Sequence, residues 1–397
     1  MSFALPACRS SFSLLHGTAT PEALVESALI KGYRALILAD RNNLYGCYDF
    51  YYAAGDRGIK PIIGVELSTA LGELILLCRN HEGFKNLSRL VTHYHLHEKP
   101  SAMTLGSLNG GMACLADPDA NMTALREIYA GDFYVKLTYR RPSKAERVAR
   151  EEGLKTIACP TVSFLNRDDF ERHRLLRAID GGYLIDNLPV SEHADPEEYL
   201  KEPAWYEHFY SAFPQALGNS LELAEQCNVV FPNKKNILPD VKIAGDHFEK
   251  LKADTLAGLR ERIRSLSGRY LSRLEYELSV IRRTGFVDYF LIVGEIIDFC
   301  RREDITAVGR GSAAGSLVSY SLRITQVDPL KEGLYFERFL NEARSDCPDV
   351  DLDIDWRKRD DVLDFIYKRY GDEYVAMMAS YIHFQPRLAV RESAKAL

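Results

Sequence analysis

The sequence predicts an α/β domain on a parallel sheet over residues 1–230, followed by a second domain of different texture. Three features lead there. Short β-rich apolar runs alternate with helical stretches up to about residue 230. A stretch rich in proline and polar residues interrupts that pattern at 230–250, and four aspartates alternate with aliphatic residues near 350. A chain of 397 residues has room for two or three domains.

The strand candidates, in order, are YRALILAD (33–40), KPIIGVEL (60–67), GELILLCRN (72–80), GMACLAD (111–117), DFYVKLT (132–138) and KTIACPTVSF (155–164). Several are almost continuously apolar, as strands buried on both faces should be. Thr20-Pro21-Glu22 opens a helix with a capping hydroxyl, a proline where no N–H is needed and an acid at the positive end. Such units build either a barrel or a doubly wound layer, and the barrel is preferred here. FPNKKNILPDVKIAGDHF (231–248) reads as a linker. Residues 251–283 look helical and hold eight Lys/Arg against four Asp/Glu, either a basic face for a phosphate backbone or a solvated helix with its own ion pairs. FVDYFLIVGEIIDFCRRED (286–304) is apolar over a broad helical face and predicts core.

Composition narrows the function classes. With 46% hydrophobic and 27% charged residues the chain is a folded globular type, not a disordered or collagen-like one. A net charge of −6 means that any nucleic-acid contact must come from a local basic face. Eight scattered cysteines without a C-x-x-C pair predict reduced thiols, and the opening MSFALPACRSSF lacks signal-peptide character, so a cytoplasmic location is expected. The most apolar run is broken by Asp288, Glu295 and Asp298, so no membrane span is expected. His93, His95 and His97 follow a predicted helix and read as its solvated end rather than a metal site, and His16 has no evident partner.

Two constellations carry chemistry. In DITAVGRGSAAGSLVSYSLRIT (304–325), Ile305–Val308 suits a strand, Gly309–Ser312 a tight turn and Ala313 onward a helix. A glycine turn feeding a helix offers backbone N–H groups to an anion, with Arg310 adding a fork of donors; close packing of small residues is the alternative. Neither the dinucleotide nor the Walker spacing is present. In PDVDLDIDWRKRD (348–360), Asp349, Asp351, Asp353 and Asp355 alternate with Val350, Leu352 and Ile354. On a strand the carboxylates share one face and the aliphatic residues the other. Carboxylates so close repel unless compensated, and divalent cations are the obvious compensation. An EF-hand fails because Ile354 stands where glycine is required; an acidic edge strand guarded against aggregation is the remaining alternative. Arg338 and Arg344 lie between the two constellations in sequence, as a phosphate clamp or as surface ion pairs.

The string GRGSAAGSLVSYSLRITQVDPL…LYFERFLNEARSDCPDVDLDIDWRKRDDVLDFIYKRYG resembles the palm of the bacterial C-family DNA polymerases, the DNA polymerase III α group. The landmarks CRSSFSLLHGTATPEALV, LADRNNLYG and GIKPIIGVEL resemble the polymerase-and-histidinol-phosphatase (PHP) domain of that family. The resemblance implies a distorted β/α PHP-type barrel over 1–230, a linker and the first part of a mixed α+β palm over 231–380, and the start of a thumb over 381–397. It implies a DNA-directed DNA polymerase, a nucleotidyltransferase acting in DNA replication or repair on primer-template DNA and deoxynucleoside triphosphates, with Mg²⁺ and with other replisome or translesion subunits. Asp349 and Asp351 would be catalytic metal ligands, Gly311, Ser312 and Arg338 would hold the nucleotide phosphates, and Asp353 would be a neighbouring carboxylate. CRSSFSLL and ADRN lean toward the error-prone branch. The barrel's ligand positions are mostly altered: Ala7 and Arg9, Arg41, Glu73, Thr161 and Ser163 stand where ligands are expected, and only Asp40 and Glu66 remain. That implies a structural barrel rather than a metal-dependent phosphoesterase. The family's third catalytic aspartate is not found in this sequence, so the isolated chain is expected to be inactive, and a non-catalytic DNA-binding role is the alternative.

Overall fold

The computed structural model describes residues 4–139, 141–231, 239, 245–341 and 348–397. They form two compact units, residues 1–232 with 382–397, and residues 233–381. The change of unit falls inside the stretch that reads as a linker.

The first unit is built on β1 (Ala7–Cys8), β2 (Ala35–Arg41), β3 (Lys60–Thr69), β4 (Gly72–Cys78), β5 (Met112–Ala116), β6 (Phe133–Lys136), β7 (Lys155–Ile157) and β8 (Thr161–Val162). They are ordered β7-β6-β5-β4-β3-β2-β1-β8. Each apolar run of the sequence becomes a strand. Alternate residues face two cores, Ile37 on one side and Leu36 with Leu38 on the other, so both faces are covered. The expected barrel is present in distorted form. β7 and β8 are halves of one extended run, bent at Ala158–Pro160, that pairs β6 at one end and β1 at the other. The Leu5 and Ala7 N–H groups donate to the Ala158 and Pro160 carbonyls at 3.0 and 2.9 Å, carrying the sheet across the bend. Proline has no N–H to give there, which breaks the run in two. The sheet departs from the all-parallel expectation at β4, which runs antiparallel to β3 and β5. Only Ala70 and Leu71 separate β3 from β4, and so short a link cannot make a parallel crossover.

The Pro21–Ile30 helix begins as the sequence indicates, with the Ala23 N–H donating to Thr20 Oγ1 at 3.3 Å. The Pro386–Ala396 helix, within the segment expected to start a thumb, packs Ala396 against Ala178 and Leu188 of the first unit.

In the second unit the helices His247–Arg262, Gly268–Thr284 and Val287–Arg302 surround a core that includes Leu259, Leu278, Ile281, Phe290, Phe336 and Phe339. The apolar run 286–304 is core, as expected. The 251–283 stretch is two helices, and not all its cations face water. Arg262 stacks over the Tyr320 ring at 3.8 Å and donates to the Tyr320 and Thr325 carbonyls at 2.6 and 3.0 Å. β9 (Ala307–Arg310) and β10 (Asp351–Ile354) form a two-stranded antiparallel sheet, and the Arg359–Tyr370 helix follows. Among the described residues no helix is long and apolar enough to cross a membrane.

Candidate active site

The aspartate string forms a strand, with its chemistry at one end. Asp351 pairs with Arg310, Leu352 with Gly309, Asp353 with Val308 and Ile354 with Ala307. Asp351 and Asp353 are exposed, while Val350, Leu352 and Ile354 pack against the cores beneath. The two-residue period therefore sorts charge from core as the sequence predicts. Of the four carboxylates, however, only Asp351 and Asp353 lie within the strand. Asp349 precedes the ladder and is exposed; the next residue is fixed by the Val350 N–H donating to Tyr289 Oη at 2.9 Å. Asp355 is spent on the turn into the next helix, accepting from the Arg357 N–H at 3.1 Å. Asp353 meets Arg310 at 3.1 Å, with both side chains well exposed.

β9 delivers the glycine turn directly beside Asp351. Gly311 takes φ +72°, a left-handed conformation that side chains disfavour, and a Cβ placed on it would lie 3.9 Å from Asp351 Oδ2. The turn continues as a 3₁₀ segment, Gly311–Gly315, and the helix expected from Ala313 starts only at Leu317 and ends at Ser321. Ser316 resets the start, since its Oγ accepts from the Ser319 N–H at 3.1 Å. This corrects the anion-binding reading at the helix end. The Leu317 and Val318 N–H groups are not offered to a ligand; they donate to Glu277 at 3.0 and 3.1 Å. An anion must be met by the Gly311–Ser312 turn itself.

Arg338 ends the short 3₁₀ segment Phe336–Arg338, which packs against the Gly311–Gly315 segment. The approach is close at Gly315, where a Cβ would lie 2.8 Å from the Tyr335 carbonyl oxygen. Arg338 is exposed and has no polar side-chain partner among the described residues. Arg344 lies outside the described residues.

Sequence reasoning missed Arg273 and Glu277. Glu277 is wholly buried on the Gly268–Thr284 helix, and burial pushes its carboxyl up despite the Arg273 guanidinium and the N–H groups of Leu317 and Val318. The available signal was phase: Glu277 falls on the apolar stripe of Leu274, Leu278 and Ile281, where a carboxylate needs partners.

The barrel end where ligands were expected is filled by an internal network. Arg9 grips Glu66 with two donors, Nε to Oε2 at 2.7 Å and an Nη to Oε1 at 2.8 Å. It also reaches Ser163 Oγ at 2.9 Å and Glu198 at 3.4 Å. Burial alone would raise the Glu66 carboxyl, but Arg9 outweighs it and holds Glu66 below the ordinary carboxylate range. Asp40 accepts from Ser10 N–H at 2.7 Å, Ser10 Oγ at 2.7 Å and Ser13 Oγ at 2.6 Å, and burial still pushes its carboxyl up. Of these residues Arg9, Glu66 and Glu198 line a cleft of about 340 Å³ that also holds Asp117, Lys136 and Thr161. The two carboxylates that remain at the expected ligand positions, Asp40 and Glu66, are thus occupied by protein donors. Among the described residues no group of three or more His, Cys, Asp or Glu is arranged to hold a metal ion. At the other histidine cluster, His95 Nε2 lies 2.7 Å from the Asn42 carbonyl oxygen, at the end of the His81–Leu96 helix.

Residues 7–157 match the PHP domain family, and residues 249–397 match the bacterial DNA polymerase III alpha NTPase domain family. The chain is 32% identical, over 98% of its length, to the DNA polymerase III subunit alpha of Buchnera aphidicola subsp. Schizaphis graminum, covering 38% of that protein. It is 32% identical over its full length to the error-prone DNA polymerase of Symbiobacterium thermophilum, covering 41% of that protein. It is 33% identical over 99% of its length to the DNA polymerase III subunit alpha of Bacillus subtilis, covering 38%. The chain thus spans about two fifths of the length of these curated relatives.

Proposed function

The chain joins a PHP domain to a bacterial DNA polymerase III alpha NTPase domain, and on that premise we propose that it is the part of a DNA-directed DNA polymerase that binds the incoming nucleotide. The observation that carries this reading is the β9–β10 register, which sets Asp351 beside the Gly311 turn. Asp349 and Asp351 offer hard, exposed carboxylate oxygens. Mg²⁺ characteristically takes one or two carboxylates and fills its remaining positions with water and substrate phosphate, so this donor set fits it. When bound there, the ion supplies charge neutralisation for phosphoryl transfer.

The chain's own residues do the rest. The Gly311–Ser312 turn lets phosphate oxygens approach backbone and hydroxyl donors without a Cβ in the way. The Arg338 guanidinium presents a fork matched to phosphate oxygens. Arg310 is held by an exposed pair with Asp353, an interaction weak enough to yield to a phosphate. The barrel is then a structural domain, its two remaining acidic positions closed by Arg9 and the two serines. The proposal extends to primer-template DNA as the second substrate, partner subunits of the longer polymerase and a cytoplasmic setting. The replicative and error-prone branches match equally well, at 32% identity each.

Primer extension tests the reading. In the longer polymerase that contains this chain, Asp351→Asn should abolish extension and Arg338→Ala should raise the nucleotide KM. Near-normal extension by the Asp351→Asn enzyme would refute the assignment. The isolated chain should bind Mg²⁺–deoxynucleoside triphosphate without turnover; extension by the chain alone would show that two aspartates suffice.

A further inference from the structure

The helix Gly268–Thr284 reaches both halves of the nucleotide site without itself being part of it. Three of its side chains, all within about one helical turn, do this. Glu277 takes Ser316 Oγ at 2.9 Å and the Leu317 and Val318 N–H groups, fixing the chain that leaves the glycine turn. Arg273 donates to Glu277 at 2.7 Å and to the carbonyls of Gly315 at 3.2 Å and Leu334 at 3.3 Å. Those two carbonyls belong to different segments: Gly315 closes the cradle, and Leu334 lies just before the segment that carries Arg338. Tyr276 completes the link, donating from Oη to Glu337 at 2.8 Å, next to Arg338.

We infer that Arg273, Tyr276 and Glu277 are positioning residues that set the distance between the Gly311–Ser312 turn and Arg338, and thereby the affinity for the nucleotide triphosphate. The inference rests on the proposed function for its ligand, but the spacing it describes is a property of the chain alone. The two segments share one support. Neither the short 3₁₀ segment Gly311–Gly315 nor Phe336–Arg338 is long enough to be rigid by itself. A guanidinium whose Nη2 donates to a carbonyl of each segment, with its Nε held by a buried carboxylate, converts two loops into one unit. Lysine retains the charge but cannot span both carbonyls while holding Glu277.

The test uses the whole 397-residue chain and the variants Arg273→Lys and Tyr276→Phe, which avoid emptying the buried Glu277 site. Two measurements separate the ideas. Hydrogen exchange follows the Leu317 and Val318 amides on one side, and on the other the Phe339 and Leu340 amides, both bonded to the Phe336 carbonyl at 2.8 and 3.0 Å. Calorimetry follows binding of deoxyadenosine triphosphate with Mg²⁺. Arg273→Lys should accelerate exchange at both amide pairs together and weaken nucleotide binding about 10-fold while the second unit stays folded. Tyr276→Phe should act on the Phe339–Leu340 side, with about a 3-fold loss of affinity. Exchange that rises only at Leu317 and Val318 in Arg273→Lys, or unchanged affinity in that variant, overturns the inference. If the wild-type chain binds no nucleotide, the proposed function and the affinity claim fall together, and the coupled exchange still decides whether the spacing is shared.

Discussion

The two units each hold a set of acidic residues that the sequence marks as ligand candidates, and they treat them in opposite ways. In the barrel, Asp40 is buried and Glu66 largely so, and their oxygens are taken by Ser10, Ser13 and Arg9. In the second unit Asp349 and Asp351 are exposed, Arg338 has no polar partner among the described residues, and the adjacent turn is kept open by Gly311. A buried carboxylate must be neutralised by the protein at folding, whereas an exposed one can wait for a ligand. On the proposed function, the difference separates a site that supports the fold from a site that awaits a ligand.

The largest expected effect sharpens this contrast through activity. Asp351→Asn should cut primer extension by the longer polymerase about 10²–10³-fold or more with little change in melting, since the side chain is exposed and has no polar partner among the described residues. Glu66→Gln should do the reverse, lowering barrel stability while extension at permissive temperature persists. Equal activity losses in the two variants would erase the distinction drawn between the sites.

Next in size is removal of the barrel's internal cation. Arg9→Met removes the donor shared by Glu66, Glu198 and Ser163 and leaves Glu66 the Arg41 guanidinium at 3.8 Å; breaking a largely buried pair in this way costs up to about 3–5 kcal/mol. Denaturant unfolding of the chain should show that loss in the barrel transition. A loss under about 1 kcal/mol would mean that water, not Arg9, satisfies these groups.

Acid should also act on the barrel. His173 is buried; its Nδ1 faces the His16 carbonyl oxygen at 2.7 Å, and its Nε2 accepts from the Ala194 N–H at 2.8 Å. Burial pulls its pKa down from 6.5 to about 4, against the raising effect of the His16 carbonyl and with Arg9 and Arg177 adding to the fall. Between those values the unfolded chain binds a proton that the folded barrel refuses. The stability from neutral His173 is therefore complete above about pH 6.5 and is lost as the pH falls toward 4, amounting to about 2–3 kcal/mol. Urea unfolding at several pH values measures it, and His173→Gln should reduce the slope, leaving the part due to His16, whose pKa burial also lowers.

What could be read from the sequence follows the range of the interactions. Apolar runs and two-residue alternation are local, so the strands 33–40 and 60–67 and the sorting of Asp351 from Leu352 were legible. The antiparallel β4 was within reach, since two residues between β3 and β4 exclude a crossover. The Ser316 cap, which moved the helix start from 313 to 317, was also a local signal, outweighed by the small residues before it. The Arg9–Glu66 grip spans 57 positions and the Glu277–Ser316 bond spans 39, and neither leaves a local trace beyond a charge in an apolar neighbourhood.

The smallest expected effect is a null shift, and it separates the two regions most cleanly. If Arg9 and the serines have taken the place of bound metal, a strong chelator should leave the barrel's melting temperature unchanged, because the oxygens of Glu66 and Asp40 are already taken by protein donors. Added Mg²⁺ should likewise leave it unchanged. A ligand that binds the native state stabilises by an amount set by its free concentration over its Kd, so even a weak site would show at millimolar metal. The same titration with nucleotide present should stabilise only the second unit, through Asp349 and Asp351. A chelator-induced fall in barrel melting would mean that Glu66 and Asp40 hold an ion that competes with Arg9, and the two sites would then differ in degree rather than in kind.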